Sequence, residues 1–144
     1  MSKSNTNSEY RYWEKYFSAK IKEYGNTLHG IGYWDEISAI KRNELILTIL
    51  KHISNKEILD VGGGWGFNTI ELAKSNQVYN IDCSNEQLKR SKEYSILPIL
   101  GNAITLPFKN ESFDYVLCIG VFQYIPSGDR MKLLNELYRV CKSC

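Results

Sequence analysis

Asp60, Gly62, Gly63, Gly64 and Gly66 fall within one short stretch, and a second acid, Asp82, follows a little further on. The glycines break an apolar run, Ile58-Leu59-Asp60-Val61, and give way to helix-compatible residues. That order predicts a strand, a tight turn and a helix start, where backbone N–H groups can receive a polar ligand. Glycine suits such a turn because it tolerates positive φ and lets a ligand lie directly on the backbone. Asp82 closes a second apolar stretch, Val78 to Ile81. A carboxylate at a strand tip can accept hydrogen bonds from both hydroxyls of a ribose, each charged bond contributing about 1.5–3 kcal/mol. Together the two elements predict a nucleoside-binding βαβ unit.

The spacing narrows the nucleoside. A dinucleotide fingerprint needs G-x-G-x-x-G, but counting from Gly62 and Gly64 places Phe67 at the third position. No Gly-Lys-Ser/Thr follows the glycines, which excludes a P-loop. What remains is Asp60-x-Gly62-x-Gly64-x-Gly66. An acid two residues ahead of the first glycine repels a pyrophosphate and welcomes an ammonium group. S-adenosylmethionine carries such an ammonium together with a sulfonium.

On these residues the chain resembles the class I S-adenosylmethionine-dependent methyltransferases. Asp60 to Gly66 is similar to that family's first motif, Asp82 to the acid ending its second strand, and Gly101-Asn102-Ala103 to the segment after its third. Leu106-Pro107-Phe108 and Phe113 to Leu117 resemble the run into the fourth strand, and Leu134 to Val140 the helix that follows. Five ordered matches from about Glu57 to Cys141 are far more specific than a lone glycine motif. The resemblance implies a three-layer αβα Rossmann-like fold of class α/β, with a sheet ordered 3-2-1-4-5-7-6. The chain supplies only strands one to four, so the fold is expected to be truncated after strand four and its helix. Strand four would then be an edge with a long apolar row. A shortened chain, a gene fragment, or an edge completed by a second copy or a partner chain would each explain this.

Composition fits one soluble domain. The chain has 144 residues, 43% hydrophobic and 24% charged, with a formal net charge of +2 that forms no basic stripe, so nucleic acid is not expected as a partner. Residues 1–8 are expected to be a disordered tail, neither signal peptide nor anchor, and no apolar run reaches the ~20 residues of a membrane span. A cytoplasmic location without membrane contact is therefore expected. Four cysteines are scattered, and Cys141-Lys142-Ser143-Cys144 alone is too little for a zinc site, so no metal is expected.

Residues 9–55 are expected to form an N-terminal helical lid or cap segment, and 56–144 the cofactor-binding α/β domain, incomplete at its C-terminus. Ser8 can cap a helix presenting Trp13, Phe17, Ile21 and Tyr24 on one face, stopped by Gly25-Asn26. A second helix is predicted over Ile37 to Ile53, with Ile46, Ile49, Leu50 and Ile53 in one stripe, and Leu28 to Trp34 reads as a loop. Strand one spans Glu57 to Val61, then a helix from Phe67 to Ser75 points Phe67, Ile70 and Ala73 inward. Strand two is Val78 to Ile81, and Ser84 with Gln87 forms a capping box for a helix to about Tyr94. Strand three is Pro98 to Leu100. Strand four, Tyr115 to Ile119, is apolar enough to be covered on both faces. Ser127 should cap a last helix from about Gly128 to Cys141.

The resemblance gives roles. Asp60, Gly62, Gly63, Gly64 and Gly66 would cradle the cofactor, and Trp65 either walls the site or covers the sheet top. Asp82 would hold the ribose hydroxyls, Cys83 would flank the adenine, Asn102 stands where an acid commonly meets the adenine amino group, and Ala103 would offer its N–H to the ring. Ile119 and Gly120 lie where the family's backbone meets the methionine end. Tyr10, Tyr12, Trp13, Tyr33 and Trp34 are placed either to close on the sulfonium by cation–π attraction or to pack a helical segment. Methyl transfer relies on alignment and requires no obligatory base. Tyr33 and Tyr124 are the candidates to position an acceptor, while His29 and His52 read as structural. The expected function is S-adenosylmethionine-dependent methyl transfer to a small molecule. The alternatives are a cofactor-binding fragment without activity of its own and, on Gly62, Gly64 and Asp82 alone, a nucleotide-dependent oxidoreductase.

Overall fold

The apolar stretches after residue 56 assemble into a four-stranded parallel sheet in a computed structural model that describes residues 6–25 and 27–142. Strand β1 (Glu57–Val61) lies in the centre between β2 (Gln77–Asp82) and β4 (Tyr115–Leu117), and β3 (Leu97–Leu100) flanks β2, giving the order β3-β2-β1-β4. In the β1–β2 register Ile58 faces Val78 and Asp60 faces Asn80. Side chains alternate across a strand, so the two faces build separate cores. Leu59, Val61 and Ile81 pack with Ile104, Leu106, Phe113, Ile125, Leu133 and Val140 on one face. Ile58 and Val78 pack with Ile53, Leu72 and Ile96 on the other. Each such buried side chain contributes about 1.5–3 kcal/mol, which makes the sheet the rigid part of the molecule.

Among the described residues four α-helices complete the layers: α1 (Thr6–Tyr24), α2 (Glu36–Leu50), α3 (Asn85–Ser91) and α4 (Arg130–Val140). The predicted tail falls outside the description as far as residue 5, and at Thr6 the backbone is already helical, ahead of the expected cap at Ser8. Asp35 caps α2 by accepting from the Ile37 N–H at 3.1 Å. The inner row of α2 differs from expectation. Ile49 is turned outward at 58% exposure, and Leu47 packs beside Leu50 against the core in its place.

The helix expected over residues 67–75 is a series of turns ending in a 3₁₀ turn at Leu72–Lys74. Its inward residues are Asn68, Thr69 and Leu72, with Phe67, Ile70 and Ala73 half-buried. The polar Thr69 is drawn in because Asp60 lies beneath it and accepts its hydroxyl, a partner no periodicity shows, while Asn68 turns toward the cavity. Ser84 caps α3 through a 3.4 Å bond from the Gln87 N–H, but the reciprocal half of the capping box is absent because the Gln87 side chain bonds elsewhere. Ser127–Asp129 form a 3₁₀ turn before α4, whose start has no side-chain cap. Among the described residues strand β4 pairs with β1 alone, and its three residues are half-buried rather than covered on both faces, as befits an edge.

Arg139 of α4 ties the segment before β4 in place. Its guanidinium donates to Phe108 O at 2.7 Å, Leu106 O at 3.0 Å and the Glu136 carboxylate, which in turn accepts from the Leu106 N–H at 2.6 Å. Among the described residues no helix is long and apolar enough to cross a membrane.

Candidate functional site

The C-terminal ends of the parallel strands open on one side of the sheet, where ligands of open α/β sheets bind. A cavity of about 300 Å³ lies there, enclosed between the loops that follow the four strands and the N-terminal helical segment. The turn after β1 forms its floor. Gly62 has φ +70°, and a Cβ there would collide with Val121 Cγ2, so the bend requires glycine both for its torsion and for its neighbour. A Cβ on Gly63 would strike the Asp60 carboxylate and stand 2.7 Å from Asn80 Oδ1.

Gly64 is gripped from both sides. Its N–H donates to Asp82 Oδ2 at 3.0 Å, and its carbonyl accepts from Asn80 Nδ2 at 2.7 Å. The other Asp82 oxygen accepts from the Ser84 N–H at 2.8 Å. Asp82 therefore orders two loops while also lining the cavity. Burial pushes its carboxyl above the ordinary range, and the Ser84 and Gly64 N–H groups pull it back only in part.

Asp60 stands beneath the turn rather than in the cavity wall. It is 1% exposed, and Thr69 Oγ1 donates to its Oδ2 at 3.1 Å. Burial, opposed by the Thr69 bond and reinforced by the charge of Asp82, pushes its carboxyl up to about 7. Asp60 Oδ1 and the neighbouring Asn80 Oδ1 are buried without a hydrogen-bond partner in the protein.

The remaining walls gather residues from distant segments. Cys83, Asn102, Ala103, Ile119 and Gly120 all line the cavity. Burial first, then the charge of Asp82, pushes the Cys83 thiol up to about 12, so it presents a neutral, weakly polar surface. Asn102 Oδ1 accepts from the Ile104 N–H at 3.1 Å, which fixes the turn that presents Ala103. The Tyr33 hydroxyl reaches over Gly120, 3.9 Å from the place of a Cβ there. Tyr124 packs its ring on Trp13 at 4.7 Å and Phe17 at 5.3 Å, closing the side opened by α1.

The cavity thus brings together Gly62, Gly63, Gly64, Asp82, Cys83, Asn102, Ala103, Ile119, Gly120, Tyr33 and Tyr124 of the residues singled out in the sequence. It leaves out Asp60, Trp65 and Gly66. Trp65 is 7% exposed and packs against Phe67 and Tyr94, on the far side of the turn. Of the aromatic residues placed as a lid, Tyr10, Trp13, Tyr33 and Trp34 line the cavity, whereas Tyr12 is 58% exposed and does not. His29 lies 3.3 Å from Glu36, outside the wall, and His52 is exposed.

Several site residues escaped the sequence reading. Asn68, Arg42, Ser38 and Gln87 line the cavity, and Asn80 holds the turn. Asn80 leaves one sequence signal, a polar residue inside an otherwise apolar strand. Cys144 lies outside the described residues, and among the described residues no group of three or more His, Cys, Asp or Glu side chains could hold a metal ion.

The chain matches the methyltransferase domain family over residues 58–143. It is 37% identical to an uncharacterized protein of Methanocaldococcus jannaschii over 103 residues, which cover 69% of this chain and 44% of that protein. It is also 37% identical to the demethylmenaquinone methyltransferase of Anoxybacillus flavithermus over 95 residues, covering 58% of this chain and 39% of that enzyme. The chain therefore spans less than half the length of these curated relatives. Its fold matches that of Haemonchus contortus phosphoethanolamine N-methyltransferase 1, solved with phosphoethanolamine and S-adenosylhomocysteine, with a TM-score of 0.80 at 18% identity, over 99% of this chain and 31% of that one. The matched span takes in the whole sheet and its glycine turn, and the chain belongs to the class I S-adenosylmethionine-dependent methyltransferases.

Proposed function

We propose that the cavity holds S-adenosylmethionine and that the protein serves methyl transfer to a small-molecule acceptor. The observation that carries this reading is the convergence of the bend at Gly62–Gly64, the Asp82 carboxylate and the Asn102-Ala103 turn on one cavity. Bound there, the cofactor supplies a methyl group activated by a sulfonium.

The chain's own residues would bind and orient. The Gly62–Gly64 backbone gives close approach, Asp82 accepts from ribose hydroxyls, Cys83 covers one face of the base, and the Ala103 N–H and the second lone pair of Asn102 Oδ1 read its edge. Ile119 and Gly120 border the amino-acid end. Asp60, Trp65 and Gly66 act behind the turn, fixing its shape. Trp13, Phe17, Tyr33 and Tyr124 exclude water and offer an apolar aromatic wall, which favours an apolar ring-bearing acceptor, and a demethylmenaquinone methyltransferase is among the relatives.

Calorimetry with S-adenosylhomocysteine should give a saturable isotherm with Kd in the micromolar range, about −8 kcal/mol. No heat at millimolar ligand would overturn the reading. A second reading, a cofactor-binding module without activity of its own, is favoured by the unpaired edge of β4. Transfer of labelled methyl to any member of a panel of hydroquinones, phenols and amines decides against it.

A further inference from the structure

Gln87 is 1% exposed at the start of α3, yet its side chain does nothing for α3. Its Nε2 donates to Gly30 O at 2.6 Å and to Phe17 O at 3.3 Å, both in the N-terminal helical segment. With both amide hydrogens committed to carbonyls, the orientation of the amide is fixed and Oε1 must face the other way. That oxygen is buried and has no partner in the protein, 3.6 Å from where a Cβ on Gly64 would stand, and Gln87 is one of the residues that line the cavity. One planar group therefore joins the segment above the cavity to the turn that forms its floor. Segment and sheet also meet through Ser18 Oγ and Ser84 Oγ at 2.9 Å, and Ser18 takes no part in the wall.

We infer that Gln87 is a positioning residue that couples occupancy of the cavity to closure of the N-terminal segment. Its Oε1 accepts a hydrogen bond from a hydroxyl or ammonium hydrogen of the ligand, and the same amide then holds Gly30 and Phe17 over it. A bond at Oε1 fixes the side-chain torsions on which both segment bonds depend, and polarises the amide so that its donors strengthen. The inference rests on the cofactor reading given above.

Amide hydrogen exchange of the full chain, with and without saturating S-adenosylhomocysteine, tests it. In the unsubstituted protein the ligand should slow exchange over residues 27–33 by about fivefold. Gln87→Met, similar in volume but without the amide, should bind the ligand about tenfold more weakly and show none of this slowing at saturation. Ser18→Ala loosens the same interface away from the cavity, and should speed exchange equally in both states while keeping the ligand-dependent ratio. Adenosine alone identifies the donor. Slowing with adenosine assigns a ribose hydroxyl, and slowing only with S-adenosylhomocysteine assigns the ammonium. Retention of the full slowing in Gln87→Met overturns the coupling. So does a ligand-bound unsubstituted protein whose residues 27–33 exchange no more slowly, which needs no variant to fold. Absence of ligand binding in the unsubstituted protein removes the cofactor reading and the coupling together.

Discussion

Two polar clusters in this molecule are built on opposite terms. Around Arg139 the charged groups are matched: the guanidinium bonds to Leu106 O, Phe108 O, Asn110 Oδ1 and both Glu136 oxygens. Arg139 holds the Glu136 carboxyl below its ordinary range. Around the glycine turn Asp60 Oδ1, Asn68 Oδ1, Asn80 Oδ1 and Gln87 Oε1 are buried with no partner in the protein, and Asp60 is pushed up to about 7. A buried acceptor without a donor costs about 1–3 kcal/mol, so the second cluster lowers stability where the first raises it. The difference separates what holds the fold from what is kept for a ligand, and Asn68 and Gln87 of the second cluster line the cavity.

The separation breaks if the first cluster turns out to govern binding. Arg139→Met strips four acceptor groups of their donor, and should lower unfolding free energy by about 3 kcal/mol in urea titration. Affinity for S-adenosylhomocysteine in the remaining folded protein should stay within about twofold, since no residue of that cluster lines the cavity.

The next effect is smaller and falls on the other side. Asp82→Ala should weaken S-adenosylhomocysteine by about 2 kcal/mol in calorimetry, because the carboxylate both faces the cavity and anchors the Gly64 N–H. Unchanged affinity would remove Asp82 from the site.

A last effect, spread over several pH units, sharpens the contrast through pH. The native Asp60 carboxyl holds its proton to about 7, while the unfolded chain releases it near 3.8. Between these values the native state binds more protons, so this group makes stability fall as pH rises, with a slope of at most about 1.4 kcal/mol per pH unit. Glu136 has the opposite sign. Its contribution is present above its unfolded value and lost as pH falls through its depressed one. Urea midpoints from pH 4.5 to 7.5 should show Asp60→Asn gaining on the unsubstituted protein as pH rises, and a constant difference would refute the buried-acid account.

The same division explains what the sequence disclosed. The glycines and Asp82 were legible because their chemistry is local, written in backbone torsion and in position at a strand tip, whereas the Asn102-Ala103 turn was read only through the resemblance. The strand order came with the family resemblance, since the alternation of apolar runs marks parallel strands without ordering them. Asn80 and Gln87 were not legible in their roles, since each is defined by a carbonyl far along the chain, Gly64 for one and Gly30 for the other. Residues 67–75 misread for a similar reason: Asp60 beneath them draws Thr69 inward against the apolar period. The placement of Tyr12 outside the wall and Trp13 within it depends on how α1 rolls onto Tyr124, a contact between elements that helical spacing alone does not fix.

The state of Cys83 carries one more consequence. The proposed ligand is an alkylating agent, and a thiolate beside it would be a better nucleophile than most acceptors. Enclosure and the adjacent Asp82 charge push that thiol up to about 12, which favours the protonated form. With the proposed ligand bound, such a thiol would be a poor target for self-methylation.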